Sequence, residues 1–481
     1  MFKTDIKKET IWIILGILLI MEAALLLFLQ KMDILPATYM VGYVASVLIL
    51  DLGAAALLSG IVGPKGRIVG FGLSVLTALM LCVGGFLLYS TYSAMYMITA
   101  DAAQYDTYYV VVQKDGKYNN INDLDGAKVW TIENNSKMQK EAMGKLVTKG
   151  NVEFGYEKDC FAVAGHLFGE KGERYDEAIL ISESRYDMVG EEIENFEEDT
   201  KIIQTIQIPI PSSDNASNID VTQDSFNLYV SGSDARGDIT EVARTDVNMI
   251  VSVNPKTKTI LLTSIPRDAY IPLHMNGEMD KLTPTGIYGI EETTSTVEDW
   301  LGVNMDFYAR VGFQMLVDLV DAVDGIDVYS DKKFKSSIAP FYYEVGWNHC
   351  NGKKALYFAR ERKAFGSKDS IRVENQQKVM KALIKKITGS KTLLMNYTSI
   401  LNAVKASMQT DFSQANMSKM VKLQLADMSE WTVKRQKIEG TYASKGTWSM
   451  GPGRPLDVYV PKEDSVEKCV KKIQEVLYPV N

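Results

Sequence analysis

Histidine is the rarest residue type in this 481-residue chain: three occur, His166, His274 and His349. So few, so widely spaced, argue against a histidine-based catalytic triad or a zinc site. Cysteine is nearly as sparse. Cys82 falls in an apolar run, and Cys160, Cys350 and Cys469 are far apart and odd in number. No CxxC spacing occurs, so neither a disulfide framework nor a thiolate metal site can be read. Positive charge is short as well. The first 90 residues hold six basic and five acidic groups; taken from totals of 52 and 60, they leave 46 and 55 in residues 91–481, a net charge of −9. A region of that sign has no broad attraction for nucleic acid, whose binding depends on phosphate neutralisation. It can still bind a phosphate where its arginines converge.

Long apolar runs are present. A helix needs about 20 apolar residues to cross a bilayer. Ile11–Leu29, Met40–Val62 and Ile68–Tyr89 qualify. Lys3, Lys7 and Lys8 precede the first run, Lys65 and Arg67 lie between the second and third, and no Lys or Arg follows until Lys114. The distribution of Lys and Arg around membrane spans sets their orientation. It places the N-terminus and second loop in the cytoplasm, and residues 91–481 outside a Gram-positive-type cell. Glu22 and Asp51 fall within the first two spans, where carboxylates usually face a bundle interior.

At roughly 100–200 residues per domain, the 481 residues allow two to four domains. Residues 101–210 read as a small α/β accessory domain. Tyr108–Gln113 and Ala178–Ser182 have strand composition, Asp123–Trp130 reads as a turn leading into another strand, and Ser136–Lys149 suits a helix. The acidic run Glu191–Asp199 reads as a solvated face. Residues 211–224 form a linker, introduced by the Pro- and Ser-rich stretch 209–217. Asn215-Ala-Ser217 also fits a glycosylation acceptor.

Residues 225–481 alternate strands and helices. Asn248–Asn254 and Thr259–Ser264 flank a Pro255-Lys-Thr-Lys258 turn and predict a hairpin. Helices are expected over Glu291–Leu301, Phe313–Val323, Ser370–Thr388, Leu393–Met408 and Ser413–Met428. This predicts a single α/β domain with helices packed on a mixed sheet.

Four polar clusters stand at the ends of these elements: Ser231-Gly-Ser-Asp234-Ala-Arg236; Arg244-Thr-Asp246; Ser264-Ile-Pro-Arg267-Asp268; and Arg360-Glu-Arg362, followed by Asp369, Arg372 and Gln376. Arg372 and Gln376 share one helix face. Arg360 and Arg362 would point the same way in an extended stretch. Arginine keeps its charge and offers a planar fork of donors suited to phosphate oxygens. Several together can hold a pyrophosphate, and nearby aspartates can hold Mg2+. The same Arg–Asp pairs also fit ordinary structural ion pairs, and the residues alone leave both readings open.

At these clusters the chain closely resembles the LytR-CpsA-Psr family of bacterial cell-wall proteins, above all its capsule-associated branch. Besides the clusters, Val247-Asn-Met249, Val253-Asn-Pro255, Gly312-Phe313, Val323-Asp-Gly-Ile-Asp327 and Ala355-Leu-Tyr-Phe-Ala-Arg360 carry the resemblance. It is strong over residues 225–390, and the three spans and accessory domain also match. The resemblance implies an enzyme that transfers a glycopolymer, capsular or teichoic-acid-like, from a polyprenyl-pyrophosphate carrier to peptidoglycan through a phosphodiester bond. Asp234 and Asp246 would hold Mg2+ (or Mn2+). Arg244, Arg267, Arg360, Arg362, Arg372 and Gln376 would bind the pyrophosphate. Asp268 and Asp369 would orient an arginine or assist the incoming hydroxyl. The helices at 313–323 and 393–428 offer apolar faces for the lipid. Asn375 stands where the family usually has Arg, and Ile371 where it has Gly, which implies one positive charge fewer near the site. Two alternatives accompany this reading: a protein that presents the lipid without catalysing transfer, and a membrane-bound transcription attenuator, which the acidic external region disfavours.

Overall fold

The computed structural model describes residues 8–99, 104–133, 137–149, 151–168, 177–210, 219–233, 244–365, 369–389, 399–404, 408–451 and 454–479. The three apolar runs form helices α1 (Lys8–Met32), α2 (Ala37–Leu58) and α3 (Gly63–Thr99). Each is long and apolar enough to cross a membrane. Trp12, Leu19, Leu52 and Phe86 point outward and stay exposed. Helices that are apolar on all sides belong in a bilayer rather than in water. Gly70 lets α3 press against α2, because a Cβ there would meet Leu57 and Leu58 at under 3 Å. The second apolar run was expected to reach Val62. The helix instead stops at Leu58, and Ser59–Val62 turn the chain toward α3.

The accessory domain follows with β1 (Gln104–Gln113), β2 (Lys128–Ile132), α4 (Lys137–Lys149), β3 (Glu153–Glu157), α5 (Cys160–Gly165), β4 (Ala178–Ser182), α6 (Glu183–Glu192) and β5 (Thr200–Ile210). Its mixed sheet has the order β3-β2-β4-β1-β5. Every residue of β4 is buried, as its unbroken apolar sequence requires. The stretch 209–217 was read as linker, but residues 209 and 210 belong to β5. The rest of it, with Asn215, lies outside the described residues.

The third unit is built on a six-stranded sheet. Its strands are β6 (Phe226–Ser233), β7 (Val247–Asn254), β8 (Thr259–Ile265), β9 (Phe307–Gly312), β12 (Met408–Thr410) and β13 (Thr432–Lys437), in the order β12-β9-β6-β7-β8-β13. Helix α7 (Ile290–Leu301) precedes β9 and α8 (Phe313–Ala322) follows it. A ribbon of β10 (Ile326–Ser330) and β11 (Gly346–Cys350) comes next. Helices α9 (Gly352–Arg360), α10 (Asp369–Thr388), α11 (Gln414–Asp427) and α12 (Glu463–Leu477) also belong to this unit.

Alternation along β7 explains the layers. Met249, Val251 and Val253 enter one core with Leu262, Phe307 and Trp431, against which Met380 and Ile384 of α10 pack. Ile250 enters the opposite core with Val297 of α7 and Ile473 of α12. Side chains of a strand point alternately to its two faces, so one strand serves two cores.

Two expectations change. Leu393–Met408 was expected as one helix. Residues 399–404 are helical, but Met408 opens β12, which pairs antiparallel with β9. The span 391–398 lies outside the described residues. An extended stretch would point Arg360 and Arg362 the same way. Arg360 is instead the last residue of α9, and the chain turns extended only at Glu361.

The three units touch. Met32, Ile34, Ala94 and Met95 at the ends of α1 and α3 share one apolar core with Leu319, Phe358 and Leu383. Lys422 of α11 pairs with Asp33 at 2.6 Å. On the other side, Ile287 and Met450 enter the core of the accessory domain, and Arg185 Nη2 donates to Tyr288 OH at 2.9 Å.

Candidate active site

Strand ends and two helices converge on a cavity of about 260 Å3, lined by Asp246, Val247, Arg267, Phe313, Ser337, Ile338, Arg360, Arg362, Lys363, Arg372 and Gln376. Six of the proposed site residues therefore meet: Asp246, Arg267, Arg360, Arg362, Arg372 and Gln376. They come from stretches more than a hundred residues apart.

Asp246 sits just before β7. Its backbone N–H donates to Gly232 O at 2.8 Å. Gly232 lies under Val247, where a Cβ would come within 2.7 Å of the valine Cβ. Glycine is needed there for close approach of the two strands. The buried Thr245 hydroxyl meets Ser231 Oγ and Asn248 Oδ1, each at 2.8 Å. This network fixes the turn that presents the carboxylate.

Arg267 follows β8. Its Nη1 donates to Asp246 Oδ1 at 2.6 Å. Its carbonyl accepts from Thr283 N at 3.0 Å and from Thr283 Oγ1 at 2.7 Å. Asp268 stands behind it, 3.8 Å from Arg267 Nε and 3.1 Å from Lys281 Nζ. Asp268 is not in the cavity lining; its ion-pair contacts are with Arg267 and Lys281.

Arg360 ends α9, and its guanidinium carbon lies 4.8 Å from the centre of the Phe313 ring. A cation over an aromatic face is held in place while its donors stay free for a ligand. Arg362 and Lys363 follow at once. Between the arginines, Glu361 is fully buried. It accepts from Ser336 Oγ at 2.9 Å, Ser337 N at 2.7 Å, Ser337 Oγ at 2.8 Å and Ala364 N at 3.0 Å. Burial alone would raise its pKa, but the donors from Ala364, Ser337 and Ser336 hold the carboxyl below the usual glutamate value. Glu361 thus pins the segment bearing both arginines to the wall carrying Ser337 and Ile338. Glu361→Gln is expected to raise KM for a pyrophosphate donor about tenfold by freeing that segment. Steady-state kinetics read this, and an unchanged KM would leave Glu361 with a purely structural role.

Arg244 lies two residues before Asp246 and is not in the cavity lining. Asp369 opens α10, and its side chain lies outside the described residues. So does Asp234. Sequence reasoning gave no role to Phe313, Ser337, Ile338, Lys363 or Glu361. The available signals were that Phe313 and Glu361 lie within motifs carrying the family resemblance and that Lys363 adjoins Arg362. Ser337 and Ile338 reach the cavity only through tertiary folding.

Asn375 is 4% exposed, lines a separate cavity with Ser330, Asp331 and Phe365, and is not in the lining of the arginine cavity.

Among the described residues no group of three or more His, Cys, Asp or Glu could hold a metal ion. One carboxylate, Asp246, lines the cavity. Mg2+ commonly takes one or two carboxylates and completes its shell with phosphate oxygens and water. This donor set fits that pattern and no all-protein cage.

The fold and site define a protein of three membrane-type helices carrying an α/β domain whose cationic cavity suits a phosphate-rich ligand. The model of the LytR_cpsA_psr family matches residues 187–475, more than half of the chain, so the chain belongs to that family. A TagU polyisoprenyl-teichoic acid–peptidoglycan teichoic acid transferase of Bacillus mycoides is 31% identical over 228 residues, which cover 46% of this chain and 73% of the relative. One from Enterococcus faecalis is 29% identical over 243 residues, covering 50% and 77%. Among solved structures, that of B. subtilis TagV is similar at a TM-score of 0.45 and 25% identity, covering 54% of this chain and 99% of that one.

Proposed function

We propose that this chain transfers a glycopolymer, capsular or teichoic-acid-like, from a polyprenyl-pyrophosphate carrier to a peptidoglycan hydroxyl at the outer face of the cell membrane. The convergence of Arg267, Arg360, Arg362, Lys363, Arg372 and Gln376 on one cavity carries the reading. Five cations around so small a space call for a dense anion, and a pyrophosphate supplies one. The named activity of the TagU relatives agrees with it. The distribution of Lys and Arg supports the external placement.

The chemistry proposed for this cavity is a phosphoryl transfer. The acceptor oxygen bonds to the sugar-proximal phosphorus. The bond from that phosphorus to the bridging oxygen breaks, and polyprenyl phosphate leaves. Asp369, three residues before Arg372, is the proposed acceptor of the hydroxyl proton. Charge builds on the phosphoryl oxygens and the bridging oxygen, where the fixed guanidinium donors stabilise it without reorganising. Mg2+ held by Asp246, with Asp234 as its proposed second ligand, would neutralise further charge when bound. The idea of a lipid presenter without catalysis drew on Asn375, which lies outside the cavity.

The test uses the full-length protein in phosphatidylcholine nanodiscs, with a polyprenyl-pyrophosphate saccharide and peptidoglycan fragments. A phosphodiester-linked product is expected with Mg2+ and should disappear on chelation. Tight lipid binding with no product under several acceptors would defeat the transferase reading. Full activity after chelation would remove the metal from it.

A further inference from the structure

Helix α10 presents two chemistries on two faces. Arg372 and Gln376 face the cavity described above. On the opposite face, Lys381, Lys385 and Lys386 line a second groove of about 560 Å3. The β10-β11 ribbon supplies one wall. Tyr329 and Trp347 are direct cross-strand partners, and their rings meet edge to face at 5.4 Å. Trp347 is 73% exposed, an unusual place for so large an apolar surface. Arg435 of β13 lines the groove as well.

The charges in this groove are not balanced. Lys378 pairs with Asp331 and with Glu374. Among the described residues no carboxylate pairs with Lys381, Lys385, Lys386 or Arg435. Partial burial, then Arg435, then Lys385 push the Lys381 pKa below the usual lysine value. Like charges therefore face one another inside a region whose net charge is negative. An anion entering the groove would relieve that repulsion.

We propose that this groove binds a stretch of anionic glycan chain, one whose repeat carries phosphate or carboxylate groups. Lys381, Lys385, Lys386 and Arg435 would take the anionic groups. The Trp347 and Tyr329 rings would pack against the apolar faces of sugar rings. Asp327, Asp331 and Glu374 also line the groove and would accept from sugar hydroxyls. Those three carboxylates, set among the cations as acceptors for hydroxyls, are the reason to prefer a hydroxyl-rich anionic glycan over an anionic lipid surface. The proposal deepens the transferase reading and rests on it for its purpose: the enzyme would grip the polymer or the wall strand away from the reacting phosphorus. Binding itself can be measured without transfer.

The test is isothermal titration of the full-length protein in phosphatidylcholine nanodiscs. Purified wall teichoic acid supplies phosphodiester groups in one arm. Soluble peptidoglycan fragments supply carboxylates in a second, and neutral dextran is the control. At least one anionic glycan is expected to bind, more weakly as salt rises. The one that binds names the source. The triple variant Lys381→Gln/Lys385→Gln/Arg435→Gln should bind about tenfold more weakly, and Trp347→Ala several-fold more weakly. Transfer from a carrier bearing a single sugar should be unchanged in both variants. Three results would overturn the proposal: no binding of either glycan, equal binding by wild type and triple variant, or an effect of the variants on phosphatidylglycerol vesicles alone. Glycan binding in a protein that transfers nothing would defeat the transferase reading and leave the groove standing.

Discussion

Replacing Arg267 with alanine is expected to lower kcat/KM for glycopolymer transfer about 10³-fold while shifting the melting temperature by only about 2–4 °C. Two effects combine. The substitution removes a guanidinium fixed against the position of the phosphoryl group, and it strips Asp246 of a partner 2.6 Å away. The bare carboxylate would then repel the pyrophosphate it normally sits beside. Stability should change little, because the Arg267–Asp246 pair lies on a cavity wall within reach of water. Arg267→Lys should recover only part of the rate, since an ammonium cannot reproduce the planar fork. The double variant Arg267→Ala/Asp246→Ala should recover stability but not activity. Kinetics beside a thermal melt separate these outcomes. A folded Arg267→Ala protein with wild-type kcat/KM would remove Arg267 from the site, and a collapsed melt would make its role structural.

The arginine cavity was partly legible because its residues sit in short local motifs at the ends of strong elements. Ser264-Ile-Pro-Arg267-Asp268 closes a strand whose apolar run is unmistakable, and Arg372 and Gln376 share a face of a 20-residue helix. The membrane helices were legible because length and hydropathy alone decide them. What failed depended on competition between local and distant forces. The alternation of Arg360 and Arg362 fits an extended stretch, yet Arg360 ends α9. Asn351, whose side chain accepts from Lys354 N at 3.0 Å, was the available sign of a helix start. Met408 suits a helix, yet β9 offers it an unpaired edge. That Asn375 lines a different cavity from Arg372 and Gln376 depends on which way one helix face turns, and the cores packed around α10 decide that. The groove beyond α10 could not be read at all. Its aromatic wall, lysines and arginine come from four elements that only the tertiary fold brings together.

Gly352→Ala should destabilise the protein by about 1–3 kcal/mol and lower transfer by more than the lost folding explains. A Cβ at this position would lie 2.2 Å from Val317 O and 2.7 Å from Val317 C and Cα. These are backbone atoms of α8, so no rotamer change can clear them. The N-terminus of α9 is also tied to α8 by Gly352 N, which donates to Asp321 Oδ1 at 2.7 Å. The methyl group must therefore wedge the two helices apart. Phe313 opens α8 and Arg360 ends α9, and their cation–aromatic contact spans the same pair of helices. Separating the helices should loosen Arg360 over the cavity, and Arg362 with it. The expected signature is a lower melting temperature together with a raised KM for the pyrophosphate donor. Gly352→Val should exceed Gly352→Ala in both. Lys353→Ala, on the exposed side of the same helix, should change neither. An unaltered melt and KM in Gly352→Ala would mean that the two helices do not approach so closely, and the link from α8 packing to the arginine wall would fail with it.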